Sequence, residues 1–237
     1  MGTFVMVHGS GHGGWSWQKV APMLEAEGHR VYAPSLTGCG DRAHLVRPDT
    51  GIETHVTEIA DLLFYEDLHD VILVAHSSGG IATTGVADRR ADRVAAVVYV
   101  DSPRGSSNAE AFPPVREMRK SGRVVDGVEL VLFPDEALVS FYGVNEPEEA
   151  AWMLERLTPH PWKAIEDRLE VRDPEALDRI PRYHIVADSS VAFGVHDKLP
   201  AEDRAPGHYW EIEGSHDLML TNAEGVAHIL LEIASKP

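Results

Sequence analysis

Apolar residues recur along this chain with two alternating periods. Residues 3 to 7 (TFVMV) form a short β-branched run, after which Trp17, Val20, Ala21 and Leu24 recur at the spacing of one helix face. His29 to Ala33 (HRVYA) reads as a second strand closed by Pro34, and Val56, Ile59, Ala60 and Leu63 as the next helix. Residues 70–75, 78–90 and 94–100 then predict a strand, a helix and a nearly continuous buried strand. Strand and helix periods in alternation predict an α/β fold with a mainly parallel sheet flanked by helices.

The alternation lapses after Asp101. Ser102 to Ser107 is loop-like, Pro113-Pro114 breaks the chain, residues 123–133 alternate weakly, and helix-like segments lie near 135–157 and 162–170. Regularity resumes with a strand at Tyr183 to Ala187, a helix around 195–205, a strand at Tyr209 to Ile212 and a last helix. That helix carries Val226, Ile229, Leu230 and Ile233 on one face, with Thr221 and Glu224 as its capping box. The pattern thus predicts a core of residues 1–102 and 179–237, with residues 103–178 inserted as a cap over one end of the sheet. The chain shows no internal repeat and no low-complexity segment.

Composition narrows this picture further. A chain of 237 residues, 43% hydrophobic and 25% charged, suits one domain with an insertion. No apolar stretch approaches the roughly 20 residues that span a bilayer. The start, Met1 to Val7, lacks the basic region and cleavage site of a secretory signal, which predicts a cytoplasmic protein. Gly2 does not make a myristoylation site, because position six is Met6 where that site wants Ser or Thr. One cysteine, Cys39, excludes an internal disulfide and a multi-cysteine metal site; it would act as a nucleophile only if a histidine and an acid converged on it. A formal charge of −17 argues against nucleic acid and anionic membranes as partners, leaving a small-molecule substrate and room for a homodimer.

The chemistry centres on Ala75-His76-Ser77-Ser78-Gly79, placed directly after an apolar strand and before a helix of small residues. This context fits a nucleophile elbow, in which a tight turn exposes a serine hydroxyl and small residues two before and two after it allow strand and helix to approach. Ala75 stands where the first glycine is usual. A serine hydroxyl needs a base, and the base needs an acid to hold its tautomer. Of the 13 histidines, His216 lies in the loop after the last strand, where catalytic groups of open α/β sheets gather. His208 precedes its strand and His228 lies within the last helix. For the acid, Asp101 ends the strand beside that of Ser77, while Asp188 follows the later strand; Asp217, adjacent to His216, would point away from it. Oxyanion donors are offered by the amide of Ser78 and by the run His8-Gly9-Ser10-Gly11-His12-Gly13-Gly14. This run has neither dinucleotide-binding spacing nor a Walker lysine, and His8 and His12 lack the acidic partners of a metal pair.

Taken together, VHGSGHGGWSW (7–17), GHRVYAPSLTGCGDRAHL (28–45), VILVAHSSGG (71–80), VVYVDS (97–102) and GSHDLML (214–220) make the chain resemble the α/β-hydrolase superfamily. The resemblance is to its branch of plant methylesterases, hydroxynitrile lyases and small bacterial carboxylesterases. It implies an α/β-hydrolase fold, Ser77 as nucleophile, His216 as base, the amides of Ser10 and Ser78 as oxyanion hole, and no metal or organic cofactor. In the plant branch the acid lies four residues beyond the position matching Val186, a place held here by Ser190. Either Asp188 substitutes from a shifted position or the acid has moved to Asp101, which is favoured because it ends its strand in register beside the nucleophile strand. The lyases carry a threonine and a lysine where this chain has Gly9 and Asp217, so cyanohydrin cleavage is not expected. The expected function is that of a serine carboxylesterase or lactonase acting on a small, largely apolar ester. Its alternative is a non-hydrolytic cyclase, dehydratase or carbon-carbon lyase. Phe112, Phe133, Phe141, Tyr142, Trp152 and Trp162 of the insertion either roof the pocket or pack the cap.

Overall fold

Alternate residues of a strand face opposite sides of a sheet, and this chain fills both sides with apolar side chains. Phe4 and Met6 of β1 (Thr3–Val7) enter one core with Trp17, Val20, Leu24 and the apolar face of the helix Ala223–Ala234. Val5 and Val7 enter the other, against Ile52, Val56, Ile59 and Leu63 of the helix Ile52–Tyr65 and Ile81 and Val86 of the helix Gly79–Arg89. The computed structural model describes residues 2–107, 115–191 and 199–236.

Beyond β1, the strands are β2 (Arg30–Tyr32), β3 (Val71–His76), β4 (Val94–Val100), β5 (Arg123–Val125), β6 (Val128–Val131), β7 (His160–Pro161), β8 (Arg182–Ala187) and β9 (Tyr209–Ile212). Six of them form one sheet in the order β2-β1-β3-β4-β8-β9, with every recorded pair parallel. The predicted α/β architecture is therefore present, with strand limits within a residue or two of those expected. The segment between β4 and β8 holds a small antiparallel sheet, β5-β6-β7, and several short helices. Leu138, Val139, Tyr142, Val144, Met153 and Leu157 of this segment belong to the same core as Phe4 and Met6, so its middle part packs against the sheet side of the molecule.

The helical expectations in this region change in detail. The stretch 135–157 is two helices, Glu136–Tyr142 and Pro147–Leu154, because Gly143 takes a left-handed φ of 82° that ends the first and Pro147 starts the second. The stretch 162–170 shortens to Trp162–Glu166. The last helix is capped by Asn222, whose side chain accepts the Gly225 N–H at 3.0 Å; Thr221 belongs instead to the preceding turn Leu218–Thr221. The helix expected around 195–205 lies partly outside the described residues, and its described part holds only the turn Glu202–Arg204. Pro113-Pro114 and Phe112 also lie outside them. Among the described residues, no helix is long and apolar enough to cross a membrane.

One tight contact anchors the loop after β1. Gly14 donates its N–H to Ser35 Oγ at 2.9 Å, and a Cβ built there would lie 1.9 Å from the Ala33 carbonyl oxygen. Gly14→Ala should therefore force the loop away from the end of β2 and destabilise the protein by about 1–3 kcal/mol. The shift of the urea midpoint at unchanged slope measures this; an unmoved midpoint would show that the two loops separate freely.

Candidate active site

Ser77 follows β3 directly and adopts a left-handed φ of 49°, a region that non-glycine residues enter only when their surroundings impose it. Its N–H meets the Val100 carbonyl at 3.4 Å, while its own carbonyl accepts from Gly80 N–H at 3.1 Å and from the Ser102 hydroxyl at 2.6 Å. Small residues make the turn fit. A Cβ on Gly79 would lie 2.6 Å from the His8 carbonyl oxygen, and one on Gly9 2.7 Å from Ser77 Cβ. The loop after β1 thus reaches the serine because residue 9 has no side chain, and the threonine that the lyases carry there would have to displace it.

His216 lies in the loop after β9 and points Nε2 at Ser77 Oγ, 2.9 Å away, and Nδ1 at Asp101 Oδ2, 2.6 Å away. Asp101 follows β4, has its own left-handed φ of 43°, and is tied back by its N–H to the Ile185 carbonyl at 2.7 Å. Its carboxylate also accepts Ala187 N–H on Oδ1 at 3.1 Å and the Ser190 hydroxyl on Oδ2 at 2.6 Å. Asp188 is exposed and turns its Oδ1 to Gly214 N–H at 3.1 Å, which steadies the loop that carries His216 without touching the imidazole. Ser190 is the further participant that the spacing indicated only as a missing acid.

The hydroxyls of Ser10 and Ser78 lie 2.7 Å apart, so the glycine-rich loop and the elbow meet beside Ser77. Asp217 turns into the core, where its Oδ2 lies 2.8 Å from His12 Nε2 and its Oδ1 3.5 Å from His76 Nε2, with both histidine side chains fully buried. His76 donates from Nε2 to the His216 carbonyl at 3.0 Å and so holds the base from behind. Neither His12 nor His76 was singled out for this from the sequence; a histidine beside a glycine-rich loop gives no sign of which backbone group it will meet.

The electrostatics follow from burial and charge. Desolvation lowers the His8 and His76 imidazoles to about 3, so both are neutral. Burial works in the same direction on His216, but the hydrogen bond and charge of Asp101, aided by the charge of Asp217, raise it above its ordinary 6.5. Desolvation also opposes ionisation of Asp217, yet the charge and hydrogen bond of His12 hold its carboxyl below the usual range. Cys39 is buried 3.2 Å from His160 Nδ1, and burial pushes its thiol up to about 12, which leaves it protonated and a poor nucleophile.

His76, His216 and Asp217 present ligand-type atoms within 4.8 Å of one another, the grouping among the described residues that could hold a metal ion. Both ring nitrogens of His216 and the Nε2 of His76 are already engaged in the hydrogen bonds above. His8 is spent on two backbone partners, and His12 on the Ser10 carbonyl and the Asp217 carboxylate. Of the aromatic residues of the insertion, Tyr142 reaches the site, its ring stacked 6.1 Å from that of His216. Trp162 packs with Val131 and Ile165, Trp152 against Trp15, and Phe133 beneath Arg123, while Phe141 is exposed.

Residues 4–229 match the family described as the alpha/beta hydrolase family. Among curated proteins, the chain is similar to a carbendazim hydrolyzing esterase of Nocardioides sp. (strain SG-4G), at 39% identity over 62% of this chain and 60% of that protein, so the match spans less than two thirds of that relative. It is similar along almost its whole length to Methylesterase 7 of Arabidopsis thaliana, at 28% identity over 98% of this chain and 96% of that protein. Among solved structures, it superimposes on the methylesterase protein MES16 from Arabidopsis with a TM-score of 0.76, at 23% identity and with 99% of both chains covered, a likeness of fold.

Because Asp101 supplies the larger of the influences that raise His216, Asp101→Asn should lower the His216 imidazole from its native value, leaving only the charge of Asp217 to oppose burial. In the native protein the proton on His216 adds stability at low pH, which is lost as pH rises through its raised pKa; in the variant this contribution should shrink. Titration of the His216 ring proton by NMR reads the shift directly, and a value no lower than in the native protein would contradict the arrangement.

Proposed function

The chain belongs to the alpha/beta hydrolase family, and we propose that it is a serine carboxylic ester hydrolase acting on a small, largely apolar ester or lactone. The observation that carries this reading is the unbroken hydrogen-bond chain Asp101–His216–Ser77, at 2.6 and 2.9 Å. Ser77 Oγ attacks the ester carbonyl while His216 Nε2 takes its proton. Asp101 holds the Nδ1–H tautomer and stabilises the imidazolium that forms. The amides of Ser10 and Ser78 bind the oxyanion of the tetrahedral intermediate, each such donor contributing roughly two to three decades in rate. Collapse expels the alkoxide, which receives the proton from His216. Water then attacks the acyl-Ser77 ester by the same route, releasing the acid and restoring the serine. No step calls for a metal or organic cofactor.

The names of the relatives, a methylesterase and a carbendazim esterase, support hydrolysis of an ester or ester-like carbonyl compound. The segment between β4 and β8 would act as the cap, and its Tyr142 lies beside His216. The non-hydrolytic reading drew its motive from the missing acid at position 190. The contact of Asp101 with both His216 and Ser190 supplies an acid there and favours hydrolysis.

A fluorophosphonate ester should form an adduct at Ser77, located by peptide mass spectrometry, and the adduct should vanish in Ser77→Ala and His216→Ala. No adduct in a folded sample would sink the proposal. With p-nitrophenyl acetate as substrate, Asp101→Asn should lower kcat by about four decades, as loss of a triad acid does. Asp188→Asn, which touches only the loop backbone, should change it by less than about tenfold. The opposite ranking would make Asp188 the acid.

A further inference from the structure

Both ring nitrogens of His12 face hydrogen-bond partners. Its Nδ1 lies 2.8 Å from the Ser10 carbonyl oxygen and its Nε2 2.8 Å from Asp217 Oδ2. With Asp217 ionised, in keeping with its carboxyl lying below the usual range, the carbonyl oxygen and the carboxylate both only accept, and a ring that donates from both nitrogens is an imidazolium. His12 and Asp217 are fully buried. The neighbouring histidines are built differently: His8 donates from Nδ1 to the Gly9 carbonyl and accepts Leu36 N–H on Nε2 at 3.0 Å, the pattern of a neutral ring. The other groups facing His12 are the Trp15 ring, stacked at 5.4 Å, the Tyr142 ring at 4.8 Å and the His76 ring at 5.6 Å. A cation between aromatic faces and a carboxylate is a favourable arrangement.

The same Ser10 carbonyl accepts a second hydrogen bond, from the Tyr142 hydroxyl at 2.9 Å. Two donors on one carbonyl oxygen fix the plane of the Ser10–Gly11 peptide. The N–H of the same peptide, that of Gly11, reaches His160 Nδ1 at 3.3 Å, and the next peptide is held by its Gly11 carbonyl, which accepts Thr158 N–H at 2.9 Å. Asp217 meanwhile donates its backbone N–H to the Tyr142 carbonyl at 3.3 Å, which joins the clamp to the loop of His216.

We propose that His12 is an imidazolium held by Asp217, and that with the Tyr142 hydroxyl it clamps the Ser10 carbonyl and so sets the direction of the oxyanion loop. His12, Asp217 and Tyr142 are then positioning residues: they act on the reaction through Ser10. The protonation of His12 stands independently of the esterase reading, whereas the effect on turnover rests on it.

The test has two arms on the full chain. In the first, protein labelled with 15N-histidine is observed by NMR at a pH of about 7.5, above the ordinary imidazole value, with His12 assigned from the spectrum of His12→Gln. Two protonated-type nitrogens on His12, lost in Asp217→Asn, are expected; one unprotonated nitrogen in the native protein overturns the imidazolium. In the second arm, Tyr142→Phe removes one hydroxyl and keeps the ring. Its kcat for p-nitrophenyl acetate should fall about tenfold with KM within about twofold and an unchanged melting temperature. An unchanged kcat, or a loss confined to KM, overturns the clamp. A native protein that turns over no ester while His12 gives two protonated nitrogens defeats the esterase reading and leaves the His12 assignment supported.

Discussion

Parallel pairing of β3, β4 and β8 is the constraint on which the site depends. Strands that run the same way all end at the same edge, so groups far apart in sequence arrive side by side there. His76 pairs with Val100 and Val100 with Ile185, and the residues immediately beyond, Ser77 and Asp101, both leave their strands through a left-handed turn. Each turn swings a side chain out of the pleat and up toward the loop of His216. The hydrogen bonds from Ser77 N–H to the Val100 carbonyl and from Asp101 N–H to the Ile185 carbonyl extend the ladder one step past the strands and hold both turns in place.

Around this edge the protein arranges two carboxylates on His216 with different partners. Asp101 faces the ring and is shared with Ala187 N–H and the Ser190 hydroxyl, while Asp217 lies below it and is neutralised by His12. A buried carboxylate without a counter-charge would be expensive, so the His12 contact is what permits Asp217 to sit so close to the base. Burial keeps His8 and His76 neutral, and they serve as shaped hydrogen-bond spacers between the β1 loop, the elbow and the His216 loop. The insertion takes part in the same construction. Tyr142, Thr158 and His160 all bond to the glycine-rich loop, and Tyr142 lies in the core shared with the sheet.

The position of the acid shows how such a site tolerates rearrangement. Ser190 and Asp101 approach the same point in space from the ends of neighbouring strands, β8 and β4, and meet at 2.6 Å. Asp101 Oδ2 thus takes both the imidazole Nδ1 of His216 and the Ser190 hydroxyl at one point. With the acid on β4, the β8 side is left to a hydroxyl that donates to it.

Much of this was legible in the chain itself, because the relevant signals are local. Short apolar runs with β-branched residues marked β1, β3, β4, β8 and β9, and the Ala75–Gly79 turn marked Ser77, since strand, small residues and serine are contiguous. His216 followed from its place after the last strand. Strand register favours Asp101 over Asp188, but both end parallel strands, and the facing of the side chains separates them: one inward to His216, the other outward to Gly214. The same holds for His12, His76, Tyr142 and Ser190, whose partners are 205, 140, 132 and 89 residues away. Sequence by itself determined the sheet, the elbow and the serine and histidine, because each is a property of a few consecutive residues. The acid, the buried ion pair and the clamp on Ser10 were decided by the tertiary structure, because a hydrogen bond depends on direction and distance across elements that no local pattern encodes.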